Sequence, residues 1–123
     1  MKEIIETDLA PKAVGTYSQG VKFNNVYYFS GQIGINPLTN DMSDSFDGQL
    51  SQIMKNIDGL LKSQNLSRSN IIKTTIFLQD LSDFDKVNQA YIEYFQEPYP
   101  ARSCIQAAKL PKGALVEIEV IAG

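Results

Sequence analysis

From Phe46 to Leu61 the apolar residues Phe46, Leu50, Ile53, Met54, Ile57, Leu60 and Leu61 recur mostly in steps of three and four. That spacing draws one apolar stripe down a helix and commits the helix to lie against another element. Ser45 is placed to cap its start, and the stripe ends near Gln64-Asn65. A shorter stretch repeats the pattern: Phe84, Val87, Tyr91, Tyr94 and Phe95 share a face. Ser82-Asp83-Phe84-Asp85 reads as a capping-box-like start for it, and Pro98 and Pro100 stop it.

The partners for these stripes are short runs rich in β-branched and aromatic residues. Ile4 to Glu6, Val21 to Phe23, Val26 to Ile33, Ile71 to Leu78, Ala101 to Ala107 and Leu115 to Ile121 predict six strands. Asn24-Asn25 predicts a hairpin turn between the second and third. The order strands, helix, strand, helix, two strands predicts an α+β fold, a six-stranded mixed sheet with two helices packed on one face. Residues 1–123, without repeat or linker, predict a single domain. A domain of this size buries roughly two-thirds of its unfolded surface. A deep private cleft is hard to build in so small a body, so a site at a subunit boundary is an option from the start.

Strand parity divides the sheet. Val116, Ile118 and Val120 share one face, with Glu117 and Glu119 on the other. Ile72, Ile76 and Leu78 oppose Lys73, Thr75 and Phe77. Ile105 and Ala107 oppose Arg102, Cys104 and Gln106; Tyr27, Phe29 and Ile33 oppose Tyr28, Ser30 and Gln32. This predicts an apolar face under the helices and a mixed face carrying Tyr28, Phe77, Cys104, Arg102 and Glu117. Such a face suits either solvent or a subunit interface.

Composition narrows the chemistry. There is no histidine and one cysteine, Cys104. Histidine triads, histidine general bases, most zinc sites and intrachain disulfides are thereby excluded. The net charge of −3, with 11 scattered Lys and Arg residues, disfavours a nucleic-acid partner. No run approaches the ~20 apolar residues of a membrane span. The N-terminus lacks a signal-peptide core, which points to the cytoplasm.

The remaining candidates are few. Arg102, in Tyr99-Pro100-Ala101-Arg102-Ser103-Cys104, stands at a strand entry where its planar fork could grip a carboxylate. A lone arginine there more often makes an ordinary surface salt bridge. Glu117, flanked by Val116 and Ile118, could activate water, or could be an exposed glutamate paired with a lysine, and Glu119 shares its face. Tyr17 and Ser30, among small residues, could bond a ligand or satisfy turns. Cys104 lacks a histidine to activate it and suits a packing role.

These residues together resemble the RidA family, also called the YjgF family. The resemblance rests on Pro100-Ala101-Arg102-Ser103-Cys104-Ile105, Lys109-Leu110-Pro111 and Val116-Glu117-Ile118-Glu119. It extends to Gly15-Thr16-Tyr17-Ser18-Gln19-Gly20, Ser30-Gly31-Gln32-Ile33, Lys73-Thr74-Thr75-Ile76-Phe77, and Asp80-Leu81 to Val87-Asn88. It covers nearly the whole chain; the segment before Pro100 looks shorter than in well-known members. The resemblance implies a chorismate-mutase-like fold, a homotrimer with sites between subunits, and no cofactor. It implies hydrolytic deamination of 2-iminobutanoate and 2-iminopropanoate, with enamine tautomers such as 2-aminoacrylate. In that scheme Arg102 holds the substrate carboxylate and Glu117 activates water. Tyr17 from across the interface, Ser30, Gly31, Asn88 and Cys104 line the pocket. Two other functions occur in similar proteins: non-catalytic regulation of amino-acid metabolism, and RNA-directed inhibition of translation. The presence of both Arg102 and Glu117 favours the enzyme.

Overall fold

A computed structural model describes all residues, 1–123, and carries six strands and two α-helices. The strands are β1 (Glu3–Ile5), β2 (Gly20–Phe23), β3 (Val26–Gln32), β4 (Ile71–Leu78), β5 (Ala101–Gln106) and β6 (Val116–Ala122). Helices α1 (Phe46–Ser63) and α2 (Phe84–Tyr94) cover one face. The sheet order is β1-β2-β3-β6-β4-β5. Only β4 and β5 run parallel, because α2 carries the chain back between them; every other pair is antiparallel. The mixed six-stranded sheet with two helices is the expected α+β architecture.

Local chemistry accounts for the elements. Asn24 and Asn25 have φ of 50° and 64°, the left-handed pair that a tight hairpin requires. Ser45 caps α1, its Oγ accepting from the Gly48 N–H at 3.0 Å. Ile53, Leu60 and Leu61 of α1 and Val87 of α2 meet Ile76, Leu78, Val116, Ile118 and Val120 of the sheet, all fully buried. Burying side chains of this kind stabilises by about 1.5–3 kcal/mol each relative to exposure.

Buried amides tie the loops to this core. Gln19 Nε2 donates to the Thr7, Ala10 and Pro11 carbonyls, fixing the segment that leads to Tyr17. Gln49 Oε1 accepts from the Leu115 N–H at 2.8 Å, and Asn56 Nδ2 donates to the Ile35 carbonyl at 2.9 Å.

Four expectations need correction. Ser82 does not cap α2: the Asp80 side chain accepts from the Ser82 N–H, and Leu81–Asp83 forms a 3-10 turn that runs into the helix. Ile72 is exposed, because a register shift between Ile71 and Lys73 turns it out. Gln32 is buried rather than on the open face, because β3 shifts register between Phe29 and Gln32.

The fourth correction matters most for function. In β5 the faces are exchanged. Arg102 pairs with Thr74 and Cys104 with Ile76, both core-facing, so Arg102 and Cys104 lie on the helix side. Ile105, expected under the helices, is 50% exposed on the other face. The parallel pairing sets the faces of this edge strand, and its own apolar residues do not.

Candidate functional site

The candidate residues gather in two groups on opposite faces of the sheet. The first lies where β5 meets α2. The Arg102 guanidinium sits 5.1 Å from the ring centroids of both Phe84 and Tyr91. Its Nη1 donates to Asn88 Oδ1 at 2.6 Å. Phe84, Asn88 and Tyr91 stand at i, i+4 and i+7 of α2, one stripe of the helix. Arg102 is in no ion pair; those of the chain are Lys22–Glu3, Arg68–Asp58 and Lys86–Asp83. The ordinary surface salt bridge that its sequence context favours is therefore absent.

Beneath the guanidinium, Tyr91 OH shares a buried hydrogen bond with Thr74 Oγ1. Burial pushes the Tyr91 phenol up to about 12, against the pull of that bond and of Arg102. Cys104, next on this face of β5, is half-buried, and burial raises its thiol while Arg102 lowers it less. A raised thiol is protonated near neutral pH and is a poor nucleophile.

The second group lies on the open face. Glu117 of β6 stands opposite Phe77 of β4 and alternates with buried Val116 and Ile118. It is half-buried. Burial, and next the like charge of Glu119, hold its carboxyl above the usual carboxylate range. The carboxylate leans on the bare backbone of Gly31: a Cβ there would come within 3.0 Å of Glu117 Cδ and closer still to Oε2. Gly31 lies within the β3 register shift, so the bulge and the absence of a side chain together give Glu117 its room. Ser30 Oγ donates to the Ser18 carbonyl at 2.6 Å. Tyr17, 55% exposed, lines an open depression of about 560 Å³ with Tyr28, Ser30 and Glu119.

Arg102 and Glu117 cannot meet within one chain. Along β4, Arg102 is level with Thr74 and Glu117 with Phe77. Three residues of strand span roughly 10 Å and two strand spacings roughly another 10 Å. The two Cα atoms are thus about 14 Å apart, with side chains leaving opposite faces. Sequence parity had put both on one face, and it missed Phe84 and Tyr91 as neighbours of Arg102. Their spacing around Asn88 on one helix stripe was the available signal.

Comparison with known proteins agrees with this architecture. The family model described as Endoribonuclease L-PSP matches residues 7–123. The chain belongs to the RidA (YjgF) family. It is 46% identical over 122 residues to Reactive Intermediate Deaminase A, chloroplastic, of Arabidopsis thaliana, which covers 98% of this chain and 65% of that longer protein. The crystal structure of the Rid-family protein YyfA from Yersinia pestis superposes with a TM-score of 0.97 at 47% identity, covering 100% of this chain and 99% of that one. RidA from an Antarctic Psychrobacter gives a TM-score of 0.94 at 44% identity, with 98% of each chain covered. RidA-family structures thus share the two-helix, six-stranded arrangement that separates Arg102 from Glu117.

Proposed function

We propose that this protein hydrolyses 2-imino acids and their enamine tautomers to 2-oxo acids and ammonia, at sites shared between subunits of a homotrimer. The observation that carries the reading is the division of the site. One edge presents a guanidinium with no carboxylate partner. The open face presents a half-buried carboxyl beside bare backbone. Neither group alone can hydrolyse an imine. A second copy laid against the open face, where Tyr28, Ile72 and Ile105 are exposed, supplies the missing half. The name of the Arabidopsis relative, a reactive intermediate deaminase, supports the same chemistry.

In this mechanism Arg102 grips the substrate carboxylate in bidentate fashion and fixes the adjacent C=N carbon. Backbone groups near Gly31 and Cys104 complete the cradle, with Tyr17, Ser30 and Asn88 around it. Glu117 takes a proton from water as the oxygen attacks that carbon of the protonated imine, giving a neutral tetrahedral carbinolamine. It then returns the proton to nitrogen, making it a leaving ammonium. The C–N bond breaks as the hydroxyl proton passes to the Glu117 carboxylate, releasing ammonia and the 2-oxo acid. These steps use side chains, backbone and water. 2-Iminobutanoate and 2-iminopropanoate are the substrates the reading names, met in the cytoplasm.

The test generates 2-iminobutanoate in situ and follows its decay and the 2-oxobutanoate formed. Acceleration well above the spontaneous rate is expected; decay at background sinks the reading. Binding of 2-oxobutanoate without any acceleration would favour a regulator instead. Sedimentation as a stable monomer would sink the shared site. A second reading, RNA cleavage, draws on the description of the family model. The net charge of −3 and the lack of histidine argue against it. RNA cleavage that persists through purification and disappears in Arg102→Ala or Glu117→Gln would revive it.

A further inference from the structure

We propose that Phe84, Asn88 and Tyr91 form a charge-neutral cradle that positions Arg102 while leaving its positive charge uncompensated for a ligand carboxylate. The inference rests on the deaminase reading for the identity of that ligand, but the cradle itself is built from geometry. A flexible arginine at a sheet edge is ordinarily held by a carboxylate, which cancels the charge it holds. Here the same immobilisation comes from two ring faces at 5.1 Å and one amide oxygen at 2.6 Å. A ring face attracts a cation through its quadrupole and carries no net charge. An amide oxygen accepts one N–H and likewise leaves the formal charge intact.

A buried hydrogen bond ties the cradle to the sheet. Tyr91 is buried and its hydroxyl is locked to Thr74 of β4, the residue level with Arg102 in the sheet. The stacking surface is therefore registered to the sheet core. Asn88 and Phe84 follow on the same stripe of α2, so one helix sets all three contacts at once. The acids at the start of α2, Asp83 and Asp85, make no ion pair with Arg102, and Asp83 is engaged by Lys86 at 3.6 Å. Phe84 and Tyr91 are thus positioning residues: they act on substrate through Arg102.

The deciding variant is Asn88→Asp, which keeps shape and changes only charge. If the cradle is neutral by function, this change pairs Arg102 and makes it a better-held but poorer ligand-binder. Affinity for 2-oxobutanoate, measured by calorimetry, is expected to fall at least tenfold. Thermal stability without ligand is expected to rise, with the rise fading as salt is added. A merely structural role for Asn88 would not move the two readouts in opposite directions. A second pair of variants guards against misfolding: Phe84→Leu is expected to weaken 2-oxobutanoate binding threefold or more, and Phe84→Tyr to restore it. Affinity within twofold of wild type in Asn88→Asp, or no salt-dependent gain in stability, overturns the cradle. Absence of 2-oxobutanoate binding in the wild type instead counts against the deaminase reading, and the ligand-free stability comparison still decides the cradle.

Discussion

The helix-side edge and the open face of the sheet each hold one of the two groups proposed to carry the reaction, and they treat it in opposite ways. Arg102 is exposed and held by neutral partners, so its charge is available at full strength. Glu117 is half-buried beside a like charge, so its ionised form is made less comfortable than in water. The contrast is useful chemically. A group that must attract an anion gains from an uncancelled charge. A group that must accept and return a proton gains from a pKa closer to neutrality.

The comparison breaks most visibly at the arginine. If Arg102 clamps the carboxylate as proposed, Arg102→Ala removes two charge-assisted hydrogen bonds to the substrate, about 4 kcal/mol together. That corresponds to roughly a thousandfold loss in kcat/KM for 2-iminobutanoate. Arg102→Lys keeps the charge, but it loses the planar fork and its stacking on Phe84 and Tyr91, and is expected to lie much nearer to alanine than to wild type. Near-wild-type turnover in Arg102→Ala would end the carboxylate-clamp assignment.

Glu117→Gln comes next, with an expected loss of roughly a hundredfold in kcat, the lower range for removing a general acid–base group. Glu119→Gln is the control, and it is expected to have a small effect, because Glu119 is exposed. If Glu119→Gln were the crippling change, the assignment of the two carboxylates would have to be reversed. In wild type the acid limb of the pH profile should lie above the ordinary carboxylate range, since burial and Glu119 both raise Glu117.

The two faces can also be tested against each other in one tube. Arg102→Ala and Glu117→Gln subunits are each inactive if the site is shared. Unfolded together in equal amounts and reassembled, they should regain about a quarter of wild-type activity, since one interface in four joins an intact Arg102 to an intact Glu117. No recovery, with reassembly verified, would put both residues in the same chain's site and contradict their placement on opposite faces.

Much of this molecule was legible in the sequence, and the failures have a common cause. The α1 stripe, the Ser45 cap, the Asn24-Asn25 hairpin and the alternation in β6 were all readable because local spacing alone decides them. Ile72, Gln32 and the faces of β5 were misread because register shifts and pairing partners decide those. A one-residue shift reverses every side chain beyond it. The motif residues could be named from the sequence, whereas the fact that Arg102 and Glu117 leave opposite faces needed the structure. Nor could the sequence show that Gly31 makes room for Glu117, because that contact joins two strands across a bulge.

The smallest expected effect separates the two faces by stability rather than activity. Glu117 has a raised pKa in the folded chain, so between its unfolded and folded values the folded state holds more protons. Stability from this group therefore falls as pH rises through that window, and at neutral pH the ionised side chain is a net cost. Glu117→Gln, poor as an enzyme, should then be slightly more stable than wild type at neutral pH. The gain is expected to be small, because solvent screens charge at a half-exposed site. It should vanish as the pH is lowered through the folded pKa, where wild type too is neutral at this position. Arg102→Ala should show no such pH-dependent gain over that range, because it leaves the Glu117 carboxyl on the open face unchanged. A thermal scan of both variants at several pH values reads the difference directly: a gain in Glu117→Gln that persists in acid would mean that packing, and not charge, sets the cost on the open face.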